Sequence, residues 1–138
     1  MATRTMNTLL HVFEGYSGLY EAAPSDEVRA ALVRILDIYA AKIYSPEMHR
    51  QLVFFDHDYN SLIDLYSYGH DIESSWLIDW GTRLLGDEKL TAGIEKVDSD
   101  LARHIYEIAY PTTARGISQH RRRAWRWLCL EPLALSLI

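Results

Sequence analysis

His70-Asp71-Ile72-Glu73-Ser74-Ser75-Trp76-Leu77, entered through Ser67-Tyr68-Gly69 and continued to about Leu85, sets a histidine and a carboxylate three residues apart at the head of a helix-length run. At 100° per residue, His70, Glu73, Leu77, Trp80 and Leu84 fall in one sector about 80° wide, with Trp76 beside it. Asp71, Ser75, Asp79 and Arg83 point elsewhere. Burying the polar pair without partners would cost on the order of a few kcal/mol. The two residues can reach each other at this spacing, and a carboxylate beside an imidazole orients it and favours its charged form. A locally satisfied helix-start histidine with a capping-box-like glutamate fits the same spacing.

Working outward toward the N-terminus, the run from about Asn7 to Ala22 repeats the arrangement. His11 and Glu14 are again three apart, and Asn7, His11, Glu14 and Gly18 lie on one side with Gly15 close by. The expected apolar stripe, opposite them, is Leu9, Val12, Phe13, Tyr16, Leu19 and Tyr20. Each glycine costs a helix about 0.8–1 kcal/mol relative to alanine, so glycines beside polar groups point to a close approach by a ligand or a neighbouring helix. A helix apolar on one face and selectively polar on the other suits the inner ring of a two-layer helical barrel. A plain solvent-exposed face also fits.

Two further helices complete the pattern. One runs from about Asp26 to Tyr44, with Ser25 as its N-cap, Pro46 beyond its end, and Val28, Leu32, Ile35, Tyr39 and Ile43 as its stripe. The other runs from about Glu88 to Ala109, with Asp87 as its cap and Ile94, Val97, Leu101, Ile105 and Ile108 as its stripe. Short turns join helices one to two and three to four, with Gly86 stopping the third. The fold class is all-α, built of antiparallel helical hairpins. Between the hairpins lies a long connection, Ser45 to Gly69, with a β-like run at Gln51–Phe55 and a polar turn at Asp56–Asn60. Connections this long in a compact domain are usually functional.

Charge divides the chain in two. Residues 1–109 hold 9 Lys+Arg against 18 Asp+Glu, a net of −9, whereas residues 110–138 hold five arginines against Glu131, a net of +4. The acidic body argues against nucleic acid as a partner. The tail, with Arg121-Arg122-Arg123 followed by Trp125 and Trp127, lacks amphipathic order. It reads as an atypical basic, aromatic end, frameshifted or disordered, in preference to a nucleic-acid or membrane-surface patch. The single cysteine, Cys129, gives no internal disulfide framework and points to a reducing compartment. Met1–Leu10 shows no signal-peptide pattern, and no run reaches the ~18 apolar residues of a membrane helix. The expectation is a soluble, cytoplasmic protein with no membrane partner.

Of the other histidines, His57 sits between Asp56 and Asp58 in a polar turn, and His104 lies where positive charge suits a helix C-terminus. His49 and His120 are likewise weaker candidates. Phe54, Phe55, Tyr66 and Tyr68 fit sugar-stacking platforms or simply core. No phosphate loop, dinucleotide fingerprint, zinc-spaced cysteine set or G-x-S-x-G elbow is present.

The segment Ser67–Leu77 closely resembles a signature of the N-acylglucosamine and cellobiose 2-epimerases. Met6-Asn7-Thr8-Leu9-Leu10-His11-Val12-Phe13-Glu14 resembles that family's earlier histidine-bearing helix, and Phe54-Phe55-Asp56 the connection between them. The 59-residue separation of His11 and His70 is similar to that in cellobiose 2-epimerases. The resemblance covers about residues 5–109. It implies a partial (α/α)6 barrel for residues 1–109, a small-molecule sugar in its cavity, and proton transfer at C2 through an enediolate, without metal or other cofactor. His70 then matches one acid–base histidine, Glu73 the glutamate that orients it, His11 a histidine that assists ring opening or polarises substrate oxygens, and Asn7 a substrate contact. Imidazole, with an unperturbed pKa near 6.5, both takes and gives a proton at neutral pH.

Leu9 and Tyr59 depart from the residues usual in the family, histidine and tryptophan. The resemblance also implies that the second acid–base histidine falls beyond Ile138 and that the barrel's first helices precede Met1. The expected product is therefore an incomplete copy. Two other readings stand beside it. One is a non-catalytic helical binding or assembly module that self-associates through exposed barrel faces. The other is a metal site from His11, Glu14, His70 and Glu73, less favoured because Glu/His bundles usually run glutamate first and draw on further glutamates.

Overall fold

In the computed structural model the described residues are 2–109, so the basic tail at 110–138, and His120 and Cys129 within it, lie outside them. The order is β1 (Arg4–Thr5), α1 (Met6–Ala22), α2 (Asp26–Ile38), a π-helical turn (Tyr39–Ile43), β2 (Tyr44–Ser45), β3 (Arg50–Gln51), β4 (Phe54–Phe55), α3 (Tyr68–Leu84) and α4 (Glu88–Ala109).

Local chemistry sets most of the helix ends. Thr5 accepts from the N–H of Thr8, Ser25 from that of Val28 and Asp87 from that of Leu90, each satisfying a donor that the helix cannot. After α3, Gly86 takes φ +64° and its N–H returns to the Arg83 carbonyl, a left-handed stop that favours glycine. The second helix departs from a uniform α-helix over its last residues. Tyr39 and Ile43, at the two ends of this π turn, are buried with Leu32 and Leu36.

The β-like run does not form one strand. Arg50 and Gln51 pair antiparallel with Ser45 and Tyr44, whereas Phe55 and Phe54 pair antiparallel with Arg4 and Thr5. One short segment is thus tied to the end of the second helix through β3 and to the start of α1 through β4. The N–H of Met6 adds a bond to the Val53 carbonyl (3.0 Å) and that of Leu52 to the Ile43 carbonyl (2.8 Å).

The core gathers Met6, Leu10 and Phe13 of α1, Leu32 and Leu36 of α2, Tyr39, Ile43, Val53 and Phe55, Leu77 and Ile78 of α3, and Ile94 and Leu101 of α4. The α4 stripe is as expected. The α1 stripe is not: Val12, Tyr16 and Leu19 are exposed, and the buried line is Met6, Leu10, Phe13 and Ser17. The apolar positions of this helix span about half its circumference, and α3 packs on the side carrying Phe13 and Ser17. The glycines also divide differently. Nothing lies within 4 Å of a Cβ built at Gly15 or Gly18, so no neighbouring helix approaches there. At Gly81 a Cβ would stand 2.4 Å from Phe13 Cε1 and 2.5 Å from Ser17 Oγ. The close helix approach is between α3 and α1.

Candidate active site

Both histidine-bearing helices start from the same place. The Val53 carbonyl receives α1, and Gln51, two residues earlier, receives α3: its Nε2 donates to the His70 carbonyl (3.0 Å) and to Asp71 Oδ1 (2.8 Å). From there the helices run in the same direction and touch where Phe13 and Ser17 meet Gly81. At 1.5 Å per residue, this contact sets Glu73 level with Asn7, and His11 about 10 Å beyond the level of His70.

The same contact fixes which sides face together. Seen down the paired axes, Asn7, His11 and Glu14 lie about 80–140° round from the contact line one way, and His70 and Glu73 about 20–80° round the other way. On neighbouring helices with a common direction, those opposite rotations reach one side. The opposite side carries the second layer: Leu9 and Phe13 meet Ile35, Leu36, Tyr39 and Ile78 there, and Ser75 Oγ donates to the Asp98 carbonyl. The convergence of the polar positions on a single side therefore follows from the packing.

Their partners are only partly those expected. His11 Nδ1 lies 2.9 Å from Glu14 Oε2, both side chains about half exposed. His70, half-buried, does not pair with Glu73. Its Nδ1 lies 2.6 Å from Ser67 Oγ, and the Glu73 carboxylate has no hydrogen-bond partner among the described residues. A serine on the approach to the helix is the side chain that reaches the ring. Asn7 is exposed on the same side. Among the described residues no group of three or more His, Cys, Asp or Glu side chains is placed to hold a metal ion.

Behind His70, Asp71, which lies off the sector shared by His70 and Glu73, is buried. Burial pushes its carboxyl up to about 6, against the lowering effect of the bonds from the Gln51 side chain and backbone. Ser74 Oγ donates to Gln51 Oε1 (2.8 Å), which completes that amide. A second cluster escaped sequence reasoning. His49 Nδ1 reaches Asp100 Oδ2 (2.8 Å), the Tyr44 hydroxyl donates to the same carboxylate, and the His104 ring lies 5.7 Å from that of His49. Burial acts to raise the Asp100 carboxyl, but the bonds from Tyr44 and His49 outweigh it and hold it below the usual carboxylate range. These partners are about fifty residues apart and carry no local signal. His57 is exposed, and Asp56 organises its turn by accepting from the N–H groups of Asp58 and Asn60 (both 2.9 Å).

No family model matches the chain. It is 43% identical over 126 residues to a cellobiose 2-epimerase of Eubacterium cellulosolvens, an alignment covering 80% of this chain and 31% of that protein. A cellobiose 2-epimerase of Dictyoglomus turgidum is 34% identical over 136 residues, covering 94% of this chain and 34% of the relative. The solved structure of a sugar epimerase from a ruminal bacterium superposes with a TM-score of 0.78 at 37% identity, over 80% of this chain and 28% of that one. The chain belongs to the N-acylglucosamine/cellobiose 2-epimerase family. It spans about a third of the length of the curated relatives it matches. A cellobiose 2-epimerase from Bacillus thermoamylovorans matches with a TM-score of 0.70 at 37% identity, over 76% of this chain and 26% of that one. The four helices are accordingly a partial (α/α)6 barrel, with α1 and α3 in one layer and α2 and α4 in the other. Among the described residues no helix is long and apolar enough to cross a membrane.

Proposed function

We propose that this chain carries one part of a sugar 2-epimerase site, acting on a reducing-end glucose unit such as that of cellobiose. The observation that supports this best is the common side on which Asn7, His11, Glu14, His70 and Glu73 stand. In this reading residues 1–109 are the barrel portion and residues 110–138 a separate tail. After the sugar ring opens, the His70 imidazole removes the C2 proton to give an enediolate, and inversion needs a proton delivered to the opposite face. Glu73, unpaired and beside His70, supports the charged imidazole once sugar is bound. His11, polarised by Glu14, binds the substrate oxygens, and Asn7 adds a contact.

A titration of the full chain with cellobiose tests this reading. The expected result is a selective shift of the His11 and His70 imidazole resonances, with little of the mannose-containing epimer formed, since among the described residues this reading assigns proton transfer at C2 to His70 alone. No perturbation of either ring at millimolar sugar would sink the reading; substantial epimer would overturn its half-site form.

Self-association is a second reading, supported by Val12, Tyr16 and Leu19 exposed together along one edge of α1. Light scattering is expected to show a mass that rises with concentration, and Leu19→Lys to return the chain toward the monomer. A concentration-independent monomer rules this out.

A further inference from the structure

We propose that Ser67, held in place by Gln51, positions the His70 imidazole so that Nδ1 keeps its proton and Nε2 is the nitrogen that exchanges one. What Nε2 exchanges with rests on the functional reading above. The geometry itself does not.

Ser67 occupies the N-cap of α3, yet it makes no side-chain capping bond. Thr5, Ser25 and Asp87, at the heads of α1, α2 and α4, all bond a backbone N–H of the first turn. Ser67 alone turns its hydroxyl away from that role, and Oγ lies 2.6 Å from His70 Nδ1. Which atom donates depends on the tautomer, and the proposed direction is Nδ1–H to Oγ. A hydroxyl that accepts from Nδ1–H serves the neutral and the charged ring alike, because Nδ1 is protonated in both. A hydroxyl donating to Nδ1 would have to turn round whenever the ring became charged.

Gln51 holds the turn that brings the two together. It is 1% exposed. Its Nε2 bonds the His70 carbonyl and Asp71 Oδ1, its Oε1 accepts from Ser74, and its backbone N–H approaches Asp71 Oδ1 at 3.4 Å. The N–H of Asp71 in turn bonds the Ser67 carbonyl (3.1 Å). A neutral amide is required here, since a carboxylate would lose both donors and stand against Asp71.

The test is a long-range proton–nitrogen correlation of the histidine rings in the full 138-residue chain, labelled with 15N-histidine and titrated with pH. In its neutral form, the His70 ring is expected to show Nδ1 protonated and Nε2 bare. Ser67→Ala is expected to return His70 to the averaged mixture of tautomers, and Ser67→Thr to restore the wild-type pattern. Gln51→Glu is expected to lose the pattern with Ser67 intact; if that variant does not fold, the two Ser67 variants decide. A wild-type His70 protonated mainly at Nε2, or one unchanged by Ser67→Ala, overturns the proposal. The readout uses no sugar, so a failure of cellobiose to bind would count against the functional reading and leave this one standing.

Discussion

Gly81→Ala is expected to destabilise the protein by about 1–3 kcal/mol, although alanine is the better helix former by about 1 kcal/mol. The new methyl would stand 2.4 and 2.6 Å from Phe13 Cε1 and Cζ and 2.5 Å from Ser17 Oγ. Phe13 and Ser17 are both buried, so neither side chain has open space to turn into. The alternative is to move α3 away from α1, which also displaces the sides carrying His70 and His11. Gly15→Ala and Gly18→Ala provide the contrast. The propensity gain is the same and nothing lies within 4 Å, so each is expected to stabilise by up to about 1 kcal/mol. Urea melts of the three variants check this. Equal, small changes at all three positions would mean that α1 and α3 do not meet at Gly81.

That contact also separates what was legible in the sequence from what was not. Capping is local, and Ser25 and Asp87 could be read directly because the oxygen and the N–H it satisfies lie three residues apart. The α4 stripe was legible because its polar face is unambiguous. On α1, apolar residues occupy Met6, Leu9, Leu10, Val12, Phe13, Tyr16, Leu19 and Tyr20, and periodicity cannot choose which of them meets α3. The choice is made by the small side chain of Ser17 and the missing one of Gly81, which permit close approach. At the site, positions were legible and partners were not. His70 has two polar neighbours at spacing three, Ser67 before it and Glu73 after it, and the carboxylate is the stronger partner on charge alone. Gln51, about twenty residues away, settles the contest by fixing the turn on the Ser67 side. A glutamine inside a β-like run carries no mark of that role.

Stability is expected to fall as pH rises from about 4 to about 8, and Asp98→Asn to remove most of that fall. Asp98, on α4, is 7% exposed, and neither carboxylate oxygen has a hydrogen-bond partner among the described residues. Burial, with Asp79 and Glu95 adding to it and Arg83 opposing, pushes its carboxyl from 3.8 up to about 8. The sign follows from proton counting. Between those two values the folded chain holds a proton on Asp98 that the unfolded chain has released, so raising pH favours unfolding across the window. Below about 4 Asp98 is protonated in both states, and above about 8 it is charged in both, so its contribution flattens at each end. The integrated loss is on the order of several kcal/mol, large against the 5–15 kcal/mol of an ordinary domain. Asp71, raised to about 6 by burial, contributes in the same direction over the lower half of the window. Asparagine at position 98 cannot ionise. The variant is therefore expected to match the wild type near pH 4, to exceed it at pH 8, and to keep only the part of the slope below about pH 6 that belongs to Asp71. Denaturant melts at intervals from pH 4 to pH 9 measure this. A wild-type stability that is flat or rising between pH 6 and pH 8 would show that Asp98 is charged in the folded protein, and hence that a cation or a hydrogen-bond donor reaches its carboxylate.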